Sequence, residues 1–279
     1  MRVSISILAN MKIAIIGCGA MGTSYAQSLL HAQLIDPDGL QLLEIDPEKR
    51  EQLVASGLKH THGEPGGWLT ECEVVIIAVK PQDFPAAAEH IAPYLQESQM
   101  VLSVMAGVKM AVIQQKLGTT KVVRAMPNLP SRIGLGMTAY TASEQVGREE
   151  LVWVQNLIGA TGKALYFRDE DQVDAATAIS GSGPGYVFFL MQSLVDAATA
   201  IGFNHHEARV LVQQTFLGAA QMVMHEEATL DMLVSRVASK GGTTQAALEV
   251  FKRYGLSQTL REGVKAAYGR AQELSQMIH

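Results

Sequence analysis

Cysteine is nearly absent from this chain: its 279 residues include only Cys18 and Cys72. One pair cannot form a disulfide scaffold, so the sequence reads as the product of a reducing compartment, the cytoplasm. Basic excess is missing too. Twenty-two Lys and Arg stand against 27 Asp and Glu, a net charge of −5. That leaves no electrostatic footprint for nucleic acid and no polybasic patch for a membrane. No apolar run is long enough to span a bilayer, which takes about 20 residues. The longest, 186–201, is interrupted by Gln192, Ser193 and Asp196 and reads as a buried helix. Repeats and low-complexity tracts are lacking. Metal-ligand spacing is lacking as well: His60 and His62 sit in a glycine-rich loop, His205 and His206 precede a helix, and no third ligand accompanies either pair, so no metal is expected. There is no G-x-S-x-G elbow and no Walker loop. Ser182 has no evident partner base. Residues 1–10 lack the apolar run and cleavage site of a secretory signal and read as an alternative start or extra strand residues.

What is present is a globular composition, 48% hydrophobic and 18% charged, and one stretch around which the chain is organised. Residues 13–17 form a short apolar run. Gly17-Cys18-Gly19-Ala20-Met21-Gly22 then completes a G-x-G-x-x-G, and residues 23–30 have helical character. Strand, glycine turn and helix together mark a dinucleotide site. Gly17 makes the turn, Gly19 admits a pyrophosphate, Gly22 lets helix and strand pack closely, and the helix N-terminus offers N–H groups to the anion.

The chain then alternates. Strands are expected at 40–45, 73–79 and 100–104, around Val122 and Val123, and at 137–140 and 164–167, with helices at 82–95 and near 149–157. Asp46 follows Gly22 at about the offset, roughly 20 residues, of an acid that accepts from the adenosine ribose hydroxyls. Asp46-Pro47-Glu48 is equally a helix N-cap with proline at the first position, and both roles can hold. A carboxylate there repels a 2′-phosphate and tilts the cofactor toward NAD. Ligands of open parallel sheets lie beyond the carboxyl ends of the strands, so residues 78–81, 105–107 and 126–128 should converge on the glycine turn. Lys80 is either a nicotinamide contact or a solvated lysine.

Alternation stops near Phe167, and helices are expected at 171–178, 184–201, 206–226, 229–237, 244–254 and 257–276. The division is thus 1–167, a dinucleotide-binding Rossmann domain of α/β class, and 168–279, an all-helical domain. Residues 184–201 are apolar on several faces, which requires burial between helices or against a second subunit. Ser239-Lys240-Gly241-Gly242-Thr243-Thr244 opens another helix. It is either an anion site for a substrate carboxylate or an ordinary loop with a threonine cap.

Several segments together resemble the pyrroline-5-carboxylate reductases. They are Gly17 to Gly22, Ala78-Val79-Lys80-Pro81, Arg124-Ala125-Met126-Pro127-Asn128-Leu129-Pro130, Ile179-Ser180-Gly181-Ser182-Gly183-Pro184-Gly185-Tyr186 and Gly241-Gly242-Thr243-Thr244. The resemblance spans nearly all of the chain from Met11. It implies an N-terminal Rossmann domain, a C-terminal helical dimerisation domain, and an interlocked homodimer whose substrate sites draw on both subunits, with larger assemblies open. It implies reduction of L-1-pyrroline-5-carboxylate to L-proline with NADP or NAD. Cys18, Ala20, Met21 and the glycines hold the dinucleotide, and Ala78, Val79, Lys80, Pro81, Ala106 and Gly107 line its nicotinamide side. Gly242, Thr243 and Thr244 hold the substrate carboxylate, with the Thr244 hydroxyl at the ring nitrogen as the catalytic contact, and Glu170 and Glu227 match acidic positions near the substrate. Four departures stand out. Lys240 replaces a usual proline, Leu129 a common threonine and Asp46 a small polar residue, and the loop 63–67 lacks an asparagine often found there. The competing readings are another imine or β-hydroxyacid dehydrogenase of the same plan, and a nucleotide-binding protein without turnover.

Overall fold

The computed structural model describes residues 11–277, so the expectation for residues 1–10 lies outside the described residues. Short apolar runs supply the sheet. β1 (Ile13–Ile16), β2 (Leu40–Leu43), β3 (Thr61–His62), β4 (Val74–Ile77), β5 (Met100–Ser103), β6 (Val122–Met126), β7 (Gly136–Ala142) and β8 (Gly162–Tyr166) form one eight-stranded sheet. Its order is β3-β2-β1-β4-β5-β6-β7-β8. Pairing is parallel throughout, apart from the antiparallel β6–β7 pair. β1, β2, β4 and β5 are buried along their whole length, as parallel strands covered on both faces must be.

Alternate residues of each strand feed opposite faces. Ile13 and Ile15 pack with Tyr25 and Leu29 of α1 (Ala20–His31), Leu53 of α2 (Pro47–Ala55), and Val154 and Leu157 further along the chain. Ala14 and Ile16 pack on the other face with Phe84 and Ile91 of α3 (Phe84–Ile91) and with Ile113 and Leu117 of α4 (Met110–Leu117). α5 (Arg148–Gly159) carries Val154 and Leu157. Complete burial of each large aliphatic side chain is worth about 1.5–3 kcal/mol, so these two layers dominate the stability of the sheet unit. The order and the helices on both faces make a doubly wound Rossmann fold, whose switch point lies between β1 and β4.

Elements end sooner than their apolar patterns suggest. β1 stops at Ile16 because Gly17 turns the backbone to φ +90°. β2 stops at Leu43, ahead of the expected 45, because Glu44 hydrogen-bonds back to the glycine turn. The sequence reading passed over α4 and β3. α4 is short: it buries Ile113 and Leu117, packs Met110 and Val112 beside them, and ends in a left-handed glycine, Gly118. β3 has two residues, too few for a periodic signal.

From residue 171 the chain is helical: α6 (Asp171–Ala176), a π-helical turn at Thr177–Gly181, α7 (Gly183–Ala200), α8 (His205–His225), α9 (Leu230–Val237), α10 (Thr243–Arg253) and α11 (Leu256–Met277). The start of α8 is fixed by a reciprocal cap: Asn204 Oδ1 accepts from the Glu207 amide and Glu207 Oε2 from the Asn204 amide, both at 3.0 Å. By contact the chain divides into Met1–Ser182 with Ala267–His279, and Gly183–Ala266. α6 and the last turns of α11 therefore count with the sheet. The helical unit buries little of its own: Val195, Ala208 and Val212 form its small core, while Phe189 is 73% exposed and Phe188, Leu217, Met224 and Val237 are exposed too.

Candidate active site

The glycine turn shows why each glycine is needed. A Cβ on Gly17 would lie 2.8 Å from Val79 Cγ1, and one on Gly22 only 2.0 Å from the Gly17 carbonyl oxygen. Gly19 is different: nothing lies within 4 Å of its Cβ position. It caps α1, and no side chain bonds the helix N-terminus. The turn is braced from below, where Thr23 Oγ1 donates to the Cys18 carbonyl at 2.9 Å. Space beside Gly19, uncapped N–H groups and a fixed turn fit the diphosphate of a dinucleotide.

Ala20 and Met21 begin α1. Cys18 is buried, and that burial, with the Glu44 charge second, pushes its thiol up to about 12. It is therefore a packing residue in its thiol form, not a nucleophile. Asp46 is an N-cap: its Oδ1 accepts from the amides of Glu48 at 3.0 Å and Lys49 at 3.4 Å, with Pro47 opening α2.

Neighbouring strand ends complete this edge. The Ala78 amide donates to the Ile16 carbonyl at 2.9 Å, Val79 lies against Gly17, and Lys80 is exposed in extended backbone ahead of the turn Pro81–Asp83. Beyond β5, Ala106 is half-buried and Gly107 is buried at φ +73°. Since β1, β4 and β5 are neighbours, these residues share the carboxyl edge with the glycine turn.

A buried ion cluster lies beside them. Arg124, 1% exposed, donates from Nη1 to Glu170 Oε1 at 3.0 Å and from Nη2 to Asp174 Oδ1. Lys109 Nζ reaches Asp171 Oδ1 at 2.6 Å and Asp174 Oδ2 at 2.8 Å, and Ser275 Oγ donates to Asp174 Oδ1 at 3.2 Å. Burial alone would raise the Asp174 carboxyl, but Lys109 and Arg124 outweigh it and hold it below the usual carboxylate range. The carboxylate of Glu170, expected near the substrate, engages Arg124 and the Met110 amide at the head of α4, the latter at 2.8 Å. Asn128 Nδ2 donates to the Ser180 carbonyl, and Asn128 Oδ1 accepts from the Met137 amide, each at 3.0 Å. The π-helical turn is thereby tied to the end of β6.

Gly242, Thr243 and Thr244 belong to the helical unit. Gly242 caps α10 without a side-chain bond, leaving the helix N-terminus open to an anion. Gly241 stands at φ +73°, its amide held by Gln245 Oε1 at 2.8 Å. A Cβ on Gly242 would meet Ser239 Oγ at 2.6 Å, so the turn admits no larger residue without shifting that hydroxyl. Thr243 is exposed and Thr244 half-buried, whereas Glu227 is exposed in the turn after α8. No three His, Cys, Asp or Glu side chains are grouped to hold a metal among the described residues. Among them, too, no helix is long and apolar enough to cross a membrane.

Sequence reasoning missed Glu44, Lys109, Arg124 and Asp174 as partners. One signal was present: an arginine inside the apolar run Val122-Val123-Arg124-Ala125 cannot be buried without a carboxylate to meet it.

A glycine-turn cradle at the switch point of a doubly wound sheet, followed by a helical unit, defines a nicotinamide-dinucleotide oxidoreductase of the Rossmann class. The comparisons narrow the class. A family model described as pyrroline-5-carboxylate reductase dimerisation matches residues 170–274, and one described as NADP oxidoreductase, coenzyme F420-dependent, matches residues 12–107. The pyrroline-5-carboxylate reductase of Pseudomonas aeruginosa is 35% identical over 97% of this chain and 99% of its own length. That of Haemophilus influenzae is 32% identical over 97% and 100%. Among solved structures, the Coxiella burnetii pyrroline-5-carboxylate reductase is 32% identical with a TM-score of 0.88, covering 95% of this chain and 98% of that one. The Plasmodium falciparum pyrroline carboxylate reductase with NADP bound is 25% identical with a TM-score of 0.86, covering 96% and 99%. The chain belongs to the pyrroline-5-carboxylate reductase family.

Proposed function

We propose that this chain reduces L-1-pyrroline-5-carboxylate to L-proline, working as a homodimer in the cytoplasm. The observation that carries the reading is the open cradle at Gly19 and the uncapped start of α1, set in a chain of this family. Residues 1–167 are assigned the dinucleotide and 168–279 the substrate and the subunit contact. The exposed apolar side chains of the helical unit support the dimer, and two buried free cysteines support the reducing compartment.

A reduced nicotinamide dinucleotide supplies the hydride when bound. Gly17 to Gly22, with Cys18, Ala20 and Met21, hold its diphosphate, and Ala78, Val79, Lys80, Pro81, Ala106 and Gly107 line its nicotinamide side. The amides at Gly242, Thr243 and Thr244 hold the substrate carboxylate against the positive end of α10. The Thr244 hydroxyl holds the ring nitrogen in place as it becomes protonated. A protonated imine is already electrophilic, so the protein has mainly to position the reactants. Glu170 and Glu227 are assigned to the substrate region on the resemblance alone, Glu170 acting through Arg124 and α4.

The test is proline formation from pyrroline-5-carboxylate with loss of reduced dinucleotide. A hydroxy acid turned over in its place, or dinucleotide binding without any substrate-dependent oxidation, would refute the reading.

A further inference from the structure

One buried carboxylate on the carboxyl edge of the sheet has no role in the mechanism above. Glu44, only 7% exposed, directly follows β2 and turns toward the glycine loop. Its Oε2 accepts from the Cys18 amide at 3.3 Å and its Oε1 from the Asp46 amide at 3.0 Å. Each oxygen thus has one N–H donor, while an ionised carboxylate offers about four acceptor positions. Backbone pairing locks it there: Ile16 of β1 stands opposite Leu43, and the Gly17 amide donates to the Leu43 carbonyl at 2.9 Å.

Asp46, the residue singled out by spacing, is used differently. Its Oδ1 serves two amides of α2, and the carboxylate lies 4.0 Å from Lys49 Nζ. Of the cations of that first turn, Arg50 is engaged, its Nη1 donating to the carbonyls of Glu44 at 3.0 Å and Ile45 at 2.8 Å, while Lys49 is half-exposed and lines the cavity beside Gly19 with Arg132. The carboxyl end of β2, beside the glycine turn, is where a doubly wound fold receives the adenosine ribose.

We propose that Glu44, not Asp46, is the specificity-determining residue of the dinucleotide site, and that through it this chain favours NADH over NADPH. The two remaining acceptor positions suit the 2′- and 3′-hydroxyls of an unsubstituted ribose. A 2′-phosphate would place a second anion against a buried, immobile carboxylate, where screening is weak. The proposal rests on the oxidoreductase reading of this edge but sets the chain apart from the relative seen with NADP bound.

Binding without turnover tests it. Dissociation constants for NAD, NADP and their reduced forms are measured by titration calorimetry on the full-length wild type, Glu44→Gln and Asp46→Asn. Expected is at least tenfold tighter binding of the unphosphorylated dinucleotide by the wild type. Glu44→Gln, which keeps the shape and removes the charge, should shrink that ratio at least tenfold, chiefly by tightening NADP. Asp46→Asn, which keeps an N-cap, should leave the ratio within twofold. A wild type that binds NADPH as tightly as NADH overturns the proposal even if Glu44→Gln fails to fold, as does an unchanged ratio in a folded Glu44→Gln. Neither result touches the reductase reading, which falls only if proline is not formed with either dinucleotide.

Discussion

At the scale of single residues, missing and buried atoms decide the outcome. A Cβ on Gly22 would sit 2.0 Å from the Gly17 carbonyl oxygen, a backbone atom that cannot rotate away. Gly22→Ala should therefore weaken dinucleotide binding at least tenfold while the fold survives, measured by titration against circular dichroism. Arg124 presents the opposite case, a buried cation whose removal leaves Lys109, among the described residues, as the one cation on the buried Asp174 and takes the cation from Glu170. Arg124→Ala should cost about 3–5 kcal/mol in urea unfolding. Asp174 gives the cluster a pH signature. Its folded pKa is depressed, so its contribution is present above the unfolded carboxylate value of about 3.9. It is lost as pH falls through the lower folded value. Urea midpoints of the wild type should drop more steeply between about pH 5 and about pH 3 than those of Asp174→Asn; equal slopes would remove Asp174 from the acid response. The glycines were readable from sequence because backbone geometry dictates them locally. Glu44 and Asp174 were not, because their partners lie on other elements, far along the chain.

At the scale of elements, helix starts matter most, and they differ in kind. α2 is capped by a side chain: Asp46→Ala should cost about 0.5–2 kcal/mol of stability. α1 and α10 begin with glycine and no side-chain cap, leaving their N–H groups for an anion. Thr244→Ala at the head of α10 should lower turnover by roughly one to two orders of magnitude with little change in thermal midpoint, the mark of a lost positioning contact. Unchanged kinetics would exclude Thr244 from the reaction. The long helix α8 and the unbroken apolar run of β4 were legible; α4 was not, because it has only eight residues and no side chain caps its start. The Asp46 cap could be read from Asp-Pro-Glu, whereas the departure of Glu44 toward the glycine turn depends on strand pairing that sequence does not display.

For the whole molecule, the two units contrast in how they are stabilised. The sheet unit has two extensive apolar layers, and the helical unit leaves Phe188, Phe189, Leu217 and Met224 in water in a single chain. The proposed dimer covers them. Light scattering should give twice the chain mass, and Phe189→Glu should shift it toward monomer with loss of helical signal before sheet signal on heating. Domain class and the helical half were legible from the change in periodicity. The return of α11 to the sheet unit was not, because it depends on Ser275 finding Asp174 and on Leu274 and Ser275 meeting Gly107.

That return has a topological result. The helical unit enters from Ser182 and leaves at Ala267, so it is a guest segment fastened to its host at both ends. A single proteolytic cut in the exposed turn at Tyr254–Gly255 therefore frees neither half: the distal fragment stays clasped by its own terminus, and the two pieces part company only under denaturant.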